Sequence, residues 1–382
     1  MAKAEKKYTM ESRTGTRVVL NGKSYLYFAG TSYFQLHSHM ELIKAANEAT
    51  LKYGIGSATT RAMTGTTPLL KKMEEKLANY FNTEDATYVP SGYLSSLAGL
   101  MALKELGKYQ VIFLDEDSHY SLAEGAAATG KAVISFRHRN LDDLESLMKK
   151  HLGPGQRPLI ASDGLFPIMG TLAPIRDYLA MTKKYDGVVW IDDAHGVGIL
   201  GAHGRGSCEA LGIRSDRIYL GATLSKAFGA YGGIIAGRRE FIQKVRSGSV
   251  LTGSSSPMNA AVAAGIKGLE LVQENQNLRK KLWDIARYMR EGLQHMGIPI
   301  EPLFIPEMHG TIPIFSFAHK DAATMRAIHS YLIKQGIYTQ YTSYRGAGSE
   351  GVIRVVVSSA HKKVEIVRLT HNLKEAFRRI NL

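Results

Sequence analysis

The stretch VVWIDDAH, Val188 to His195, sets four apolar residues against two acids, an alanine and a histidine. An apolar run that short, rich in branched and aromatic side chains, predicts a strand buried on both faces. The signature recurs outward in both directions. VIFLD (Val111 to Asp115), AVISF (Ala132 to Phe136) and PLIAS (Pro158 to Ser162) precede it, and RIYLG (Arg217 to Gly221) follows. Helical spacing fills the gaps, as in LDDLESLMKK, Leu141 to Lys150. Buried strands alternating with helices predict an α/β fold around a largely parallel sheet. Ligands of such sheets bind beyond the carboxyl ends of the strands, so the residues just after these runs carry the functional reading.

Further out the pattern changes. Pro257 to about Gly297 reads as one long helix, with Leu269, Leu271, Leu282, Ile285, Met289 and Leu293 near helical spacing. TIPIFSF, a helix from Ala322 to Gln335, VIRVVVS and a last helix from Lys362 then predict a smaller α+β domain. The N-terminal segment starts polar and gives SYLYF as a short strand. The expected organisation is an arm over residues 1–45, a large domain over 46–265 and a small domain over 266–382, starting within the long helix.

Composition narrows the class. The 382 residues are 45% hydrophobic and 21% charged, a globular balance. The opening MAKAEKKYTMESR lacks an apolar core, so a secretory signal is not expected, and no apolar run approaches a membrane span. Cys208 is the single cysteine, which fits a reducing compartment and a cytoplasmic protein. Lys and Arg number 48 against 34 Asp and Glu, a net charge of +14 that attracts polyanions. The basic residues are scattered, with no zinc-finger or ribonucleoprotein spacing, so nucleic acid is not the expected partner. A phosphorylated cofactor or coenzyme A suits the charge.

Four places carry candidate chemistry. Asp192, Asp193 and His195 at the strand end fit a metal site, a structural cluster or a cofactor contact. No third ligand with metal spacing is evident, and the strand-end rule favours the cofactor. Ser91, Gly92 and Tyr93 lie between the apolar ATYV and a helical run, where exposed amides would hold a phosphate. His119 follows a strand in DEDSHYS. Lys226 in TLSKAFGAYGG, Thr223 to Gly233, is the one charged side chain between Ile218 and Gly237. A lysine among small residues can form an imine with an aldehyde, and an acid at a strand end can hold a pyridine nitrogen protonated. Together these match the needs of pyridoxal phosphate.

IDDAHGVGILGAHGRG (Ile191 to Gly206) followed by GATLSKAFGAYGG (Gly221 to Gly233) resembles the α-oxoamine synthase family of pyridoxal-phosphate enzymes. YGIGSATTRAMTG, PSGY, DEDSHYS, GTLAPI and VIRVVVSSAH match further blocks in order, so the resemblance covers nearly the whole chain. It implies the fold-type-I transferase architecture, with a mostly parallel seven-stranded sheet, and a homodimer with shared active sites. It implies that Lys226 is the Schiff-base lysine and the base at Cα, that Asp192 pairs with the pyridinium nitrogen, that His195 bonds the ring's phenolic oxygen and that His119 stacks on the ring. By the same resemblance Ser91, Gly92, Tyr93, Thr223 and Ser225 hold the phosphate, and Ser254 or Ser255 reaches the partner subunit's phosphate. Arg354 resembles the arginine that grips the amino-acid carboxylate; a surface ion pair is the plainer reading.

The implied reaction condenses a small amino acid with an acyl-CoA, releasing coenzyme A and usually CO₂, to give an α-aminoketone. Among the subtypes the 8-amino-7-oxononanoate synthase type is favoured. An aminotransferase or aldol-type lyase of the same fold, and a non-catalytic subunit, are the alternatives. Several positions depart from the family. TSYFQ (Thr31 to Gln35) replaces an Asn-Asp-Tyr-Leu-Gly block, Leu70 a histidine, Ser96 an asparagine, and PIMG (Pro167 to Gly170) a Ser-Met-Asp-Gly stretch. Asp193 replaces glutamate and Gly196 serine. The cofactor residues survive and the substrate side drifts, which implies a divergent branch acting on a different substrate pair, or a generalist.

Overall fold

The computed structural model describes residues 8–298, 310–318 and 321–379. A hairpin of β1 (Arg17–Leu20) and β2 (Lys23–Tyr27) comes first. Seven strands follow: β3 (Asp85–Val89), β4 (Val111–Asp115), β5 (Ala132–Phe136), β6 (Pro158–Asp163), β7 (Val188–Asp192), β8 (Ile218–Thr223) and β9 (Gly233–Gly237). They form one sheet in the order β3-β9-β8-β7-β6-β4-β5. Strands β4 to β8 are parallel, and β9 runs antiparallel to both β3 and β8. The short Leu224–Gly232 loop explains that reversal, because a parallel return needs a long crossover. That loop carries Lys226.

Period-two alternation along β7 splits its side chains between two cores. Val188 and Trp190 pack with Ile112, Leu159 and the helix Tyr93–Glu105, while Val189 and Ile191 pack with Phe113, Ile160 and Tyr178. Trp190 lies against Gly99 of that helix, where a Cβ would overlap its ring. A helix so embedded fixes the turn at its start, Ser91 to Tyr93.

The second body of the chain is built from β10 (Ile314–Phe317), β11 (Ile337–Tyr338), β12 (Gln340–Thr342) and β13 (Val352–Val356). β10, β13 and β12 pair antiparallel in that order, and Phe315, Ile353 and Val355 pack on Met289, Leu293, Leu369 and Leu373. β11 pairs in parallel with β2, so the N-terminal hairpin is joined to the C-terminal part of the chain. No helix among the described residues is long and apolar enough to cross a membrane.

The structure corrects four local readings. Ala132–Phe136 is the sheet's edge strand and leaves most of its side chains exposed or half-exposed. The PLIAS strand runs one residue further, to Asp163. The long helix is two, Asn259–Glu274 and Gln276–His295, broken at Asn275, whose φ and ψ of −107° and 79° are not helical. Between β7 and β8 the connection holds only a four-residue helix, Ser207–Ala210, within loops rich in glycine.

Candidate functional site

The carboxyl ends of β6, β7 and β8, the start of helix Tyr93–Glu105 and the start of helix Tyr120–Ala128 surround a cavity of about 200 Å³. Ser91, Gly92, Tyr93, His119, Asp192, His195, Thr223, Ser225 and Lys226 all line it. Asp163, Ser121, Ala194, Tyr231 and Gly232 complete the wall. Asp192 ends β7 and Lys226 lies three residues past β8, its parallel neighbour, so adjacent strands bring both to one sheet edge.

Each polar group is held. Asp192 accepts the Ser96 hydroxyl on Oδ2 at 3.1 Å and the Ala194 N–H on Oδ1 at 3.2 Å. The Trp190 indole N–H donates to Ser96 Oγ at 3.3 Å, so the serine that departs from the family pattern links strand, helix and acid. Asp163 stands directly beside Asp192 in the sheet and accepts the His119 backbone N–H at 3.2 Å. Burial, then the like charge of Asp192, pushes the Asp163 carboxyl well above its ordinary range. Burial pushes the Lys226 ammonium down to about 8, against the opposing pull of Asp192 and Asp163.

The histidines are set by their neighbours. His119 Nδ1 accepts the Ser121 N–H at 3.2 Å and lies 2.7 Å from the Ser121 hydroxyl, which leaves Nε2 as the protonated nitrogen. Burial lowers its pKa. Tyr33 OH lies 2.7 Å from His195 Nδ1. Burial raises the Tyr33 pKa, so the phenol keeps its proton; in the tautomer where it donates to Nδ1, His195 Nε2–H is a hydrogen-bond donor. Burial, then the charges of Lys226 and Arg354, holds His195 well below its ordinary pKa, in the neutral form.

At the turn Ser91 to Tyr93, a Cβ on Gly92 would stand 2.5 Å from Thr223 Oγ1, so only glycine lets the turn lie this close to the Thr223 side chain. Thr223 and Ser225 share a 2.8 Å hydroxyl contact. This is a donor cradle at a helix N-terminus, suited to a phosphate. The lysine for an imine, the acid for a ring nitrogen, the donor for a ring oxygen and this cradle all face one cavity. The residues present therefore fit pyridoxal phosphate.

Other expected residues lie elsewhere. Arg354, on β13, is buried and does not line the cavity. Its Nε donates to the Pro167 carbonyl at 2.6 Å, and among the described residues no carboxylate pairs with it. The surface ion pair is thus replaced by an inner arginine. Ser254 and Ser255 do not line the cavity of their own chain; the Ser254 hydroxyl donates to Val250 O and Ser255 bridges to Thr60. Asp193 turns away and accepts the Ser207 N–H at 2.6 Å and hydroxyl at 2.7 Å, so it does not converge with Asp192 and His195. Leu70 is a core residue.

Residues 29–373 match the family described as aminotransferase class I and II. The chain is 31% identical over 360 residues to the 8-amino-7-oxononanoate synthase of Thermosipho melanesiensis, covering 94% of this chain and 90% of that one. It is 30% identical over 360 residues to 8-amino-7-oxononanoate synthase 1 of Bacillus subtilis, covering 94% and 89%. In fold it resembles the serine palmitoyltransferase of Sphingomonas wittichii, with a TM-score of 0.89 at 24% identity over 98% of this chain and 92% of that one. It also resembles the 8-amino-7-oxononanoate synthase of Francisella tularensis, with a TM-score of 0.76 at 20% identity over 94% and 99%. The architecture is the fold-type-I transferase fold. The chain belongs to the aminotransferase class I and II family, within its α-oxoamine synthase branch, and is a pyridoxal-phosphate-dependent enzyme.

Proposed function

We propose that this enzyme condenses a small amino acid with an acyl-CoA, releasing coenzyme A and usually CO₂, to give an α-aminoketone, with the 8-amino-7-oxononanoate synthase type favoured. The observation that carries it is Lys226, with its ammonium pushed down to about 8, in one cavity with Asp192. Bound there, pyridoxal phosphate supplies the electron sink for a carbanion at the amino-acid Cα. Lys226 is the residue that would take the Cα proton, and its lowered pKa places it near the working range of a base. Asp192, fixed by Ser96 and Ala194, would hold a proton on the ring nitrogen. His195 Nε2–H would donate to the ring oxygen, His119 would cover the ring, and the Ser91–Tyr93 turn with Thr223 and Ser225 would hold the phosphate.

Arg354 supports an amino-acid substrate. A buried guanidinium without a carboxylate is costly, and its terminal nitrogens have no hydrogen-bond partner among the described residues. A substrate carboxylate would fill that fork in the bidentate manner arginine favours. A cytoplasmic homodimer belongs to the same reading. Leu51, Ile55, Met63 and Met258 are large exposed apolar residues. They flank the junction where Ser255 pairs with Thr60 and Asn259 reaches the Tyr53 carbonyl. Such a face, carrying Ser254 and Ser255, suits a second copy.

The test is the visible spectrum of the pyridoxal-phosphate-loaded protein titrated with glycine, alanine and serine, followed by a free-thiol assay with acyl-CoA. A band shift with one amino acid and thiol release with it are expected. A shift without thiol release would favour the aminotransferase or lyase; a protein that cannot be loaded would favour the non-catalytic subunit.

A further inference from the structure

The turn that departs from the family block touches the lysine loop directly. Ser32 Oγ lies 2.6 Å from His37 Nδ1, and His37 Nε2 lies 2.9 Å from the Ser225 carbonyl oxygen. A carbonyl only accepts, so His37 Nε2 carries hydrogen and donates. In the neutral ring Nδ1 then accepts from the Ser32 hydroxyl, and both nitrogens are satisfied. Burial lowers the His37 pKa, in keeping with that neutral form.

The carbonyl of Ser225 and the N–H of Lys226 belong to one planar peptide unit. Fixing the oxygen fixes the plane from which the Lys226 side chain departs. Two of the loop's bonds close it on itself, Leu224 N–H to Gly232 O at 2.9 Å and Ala230 N–H to Leu224 O at 3.1 Å, and the Tyr88 hydroxyl holds its far end at the Tyr231 carbonyl at 2.7 Å. The His37 bond is the long-range tie at the lysine itself, on the peptide unit that enters Lys226. Packing adds to the tie. A Cβ on Gly229 would stand 2.5 Å from the Leu36 carbonyl carbon and 2.7 Å from the His37 nitrogen, so the two segments meet backbone to backbone. Gln35, just before, holds a left-handed φ of 57° that glycine would adopt more cheaply. Strain of this kind persists where the surroundings impose it, often beside functional groups.

We propose that His37 is a positioning residue for Lys226, acting through the Ser225 carbonyl, with Ser32 setting its tautomer. This rests on the Schiff-base role proposed for Lys226. The experiment loads cofactor-free protein with pyridoxal phosphate, traps the product with borohydride and follows label at the Lys226 peptide over time. His37→Gln places an amide donor near the Nε2 position, whereas His37→Asn is too short to reach. His37→Asn is expected to slow labelling of Lys226 about fivefold to tenfold, the effect of one hydrogen bond, with His37→Gln within about twofold of wild type. Melting temperatures confirm that both variants are folded. On the wild-type protein, nitrogen-15 shifts should show His37 protonated on Nε2 alone. Equal labelling in wild type and His37→Asn, equal loss in both variants, or an Nδ1–H tautomer would overturn the proposal. A wild type that takes no label at Lys226 would instead remove the Schiff-base reading beneath it.

Discussion

Lys226 stands among small residues with two carboxylates nearby, yet burial outweighs their pull and its ammonium loses its proton near pH 8. In the cofactor-free protein its reaction with a small amine-directed reagent should therefore rise with pH with a midpoint near 8, where an ordinary lysine has its midpoint at about 10.4. Peptide mapping across a pH series checks this; a midpoint near the ordinary value would sink it. Lys226→Ala should abolish turnover and leave the melting temperature little changed. Arg354→Ala should raise the KM for the amino acid about tenfold to hundredfold, the loss of a charged hydrogen bond, with kcat less affected. An unchanged KM would count against the carboxylate role. Thr223 was named only through the family resemblance, Lys226 stood out as the lone charge in a small-residue loop, and the strand-end rule made Asp192 and His195 legible. Asp163 carried the same signal and was missed only by ending PLIAS one residue early. Tyr33 was visible only as a member of the TSYFQ block, with no hint of its partner, and His37 carried no signal. Their partners, His195 and Ser225, are far away in sequence, and only the folded chain brings them together.

The loop after β7 shows how elements fit around a buried charge. The Asp193 carboxyl sits among Gly164, Gly196 and Gly206, each of which lacks room for a Cβ beside it. Burial pushes Asp193 up to about 6 even though Ser207 donates two hydrogen bonds. The shorter acid and the glycine at 196 are thus one packing solution: a Cβ on Gly196 would overlap Asp193 Oδ1 and stand 2.7 Å from Ser207 Oγ. Gly196→Ser, which restores the family residue alone, should destabilise the protein by about 1–3 kcal/mol, read as a lower urea midpoint. A wild-type midpoint would show that the loop relaxes freely. Element type was readable from periodicity, but exposure was not. AVISF has the composition of a buried strand and lies at the sheet edge because, among the described residues, no strand pairs beyond it. The break at Asn275 was hidden because QENQN continues a polar helical face, and only its backbone angles reveal the turn.

At the scale of the molecule, the exposed apolar face around Leu51, Ile55, Met63 and Met258 predicts self-association. Light scattering should give about twice the 42.0 kDa of one chain, and a monomer at micromolar concentration would count against the dimer. The placing of β9 also bears on how the protein is made. β3 hydrogen-bonds to β9 as its strand neighbour, from Asp85 opposite Gly237 to Val89 opposite Gly233. A nascent chain that has not yet released Gly237 from the ribosome has β4 to β8 in hand but nothing for β3 to pair with. The turn Ser91 to Tyr93 is held on its helix side by Trp190, but its strand side hangs from β3 and stays unpaired until then. Lys226 is thus translated before the strand that carries its proposed phosphate cradle can pair, and the cofactor finds a finished socket only late in synthesis.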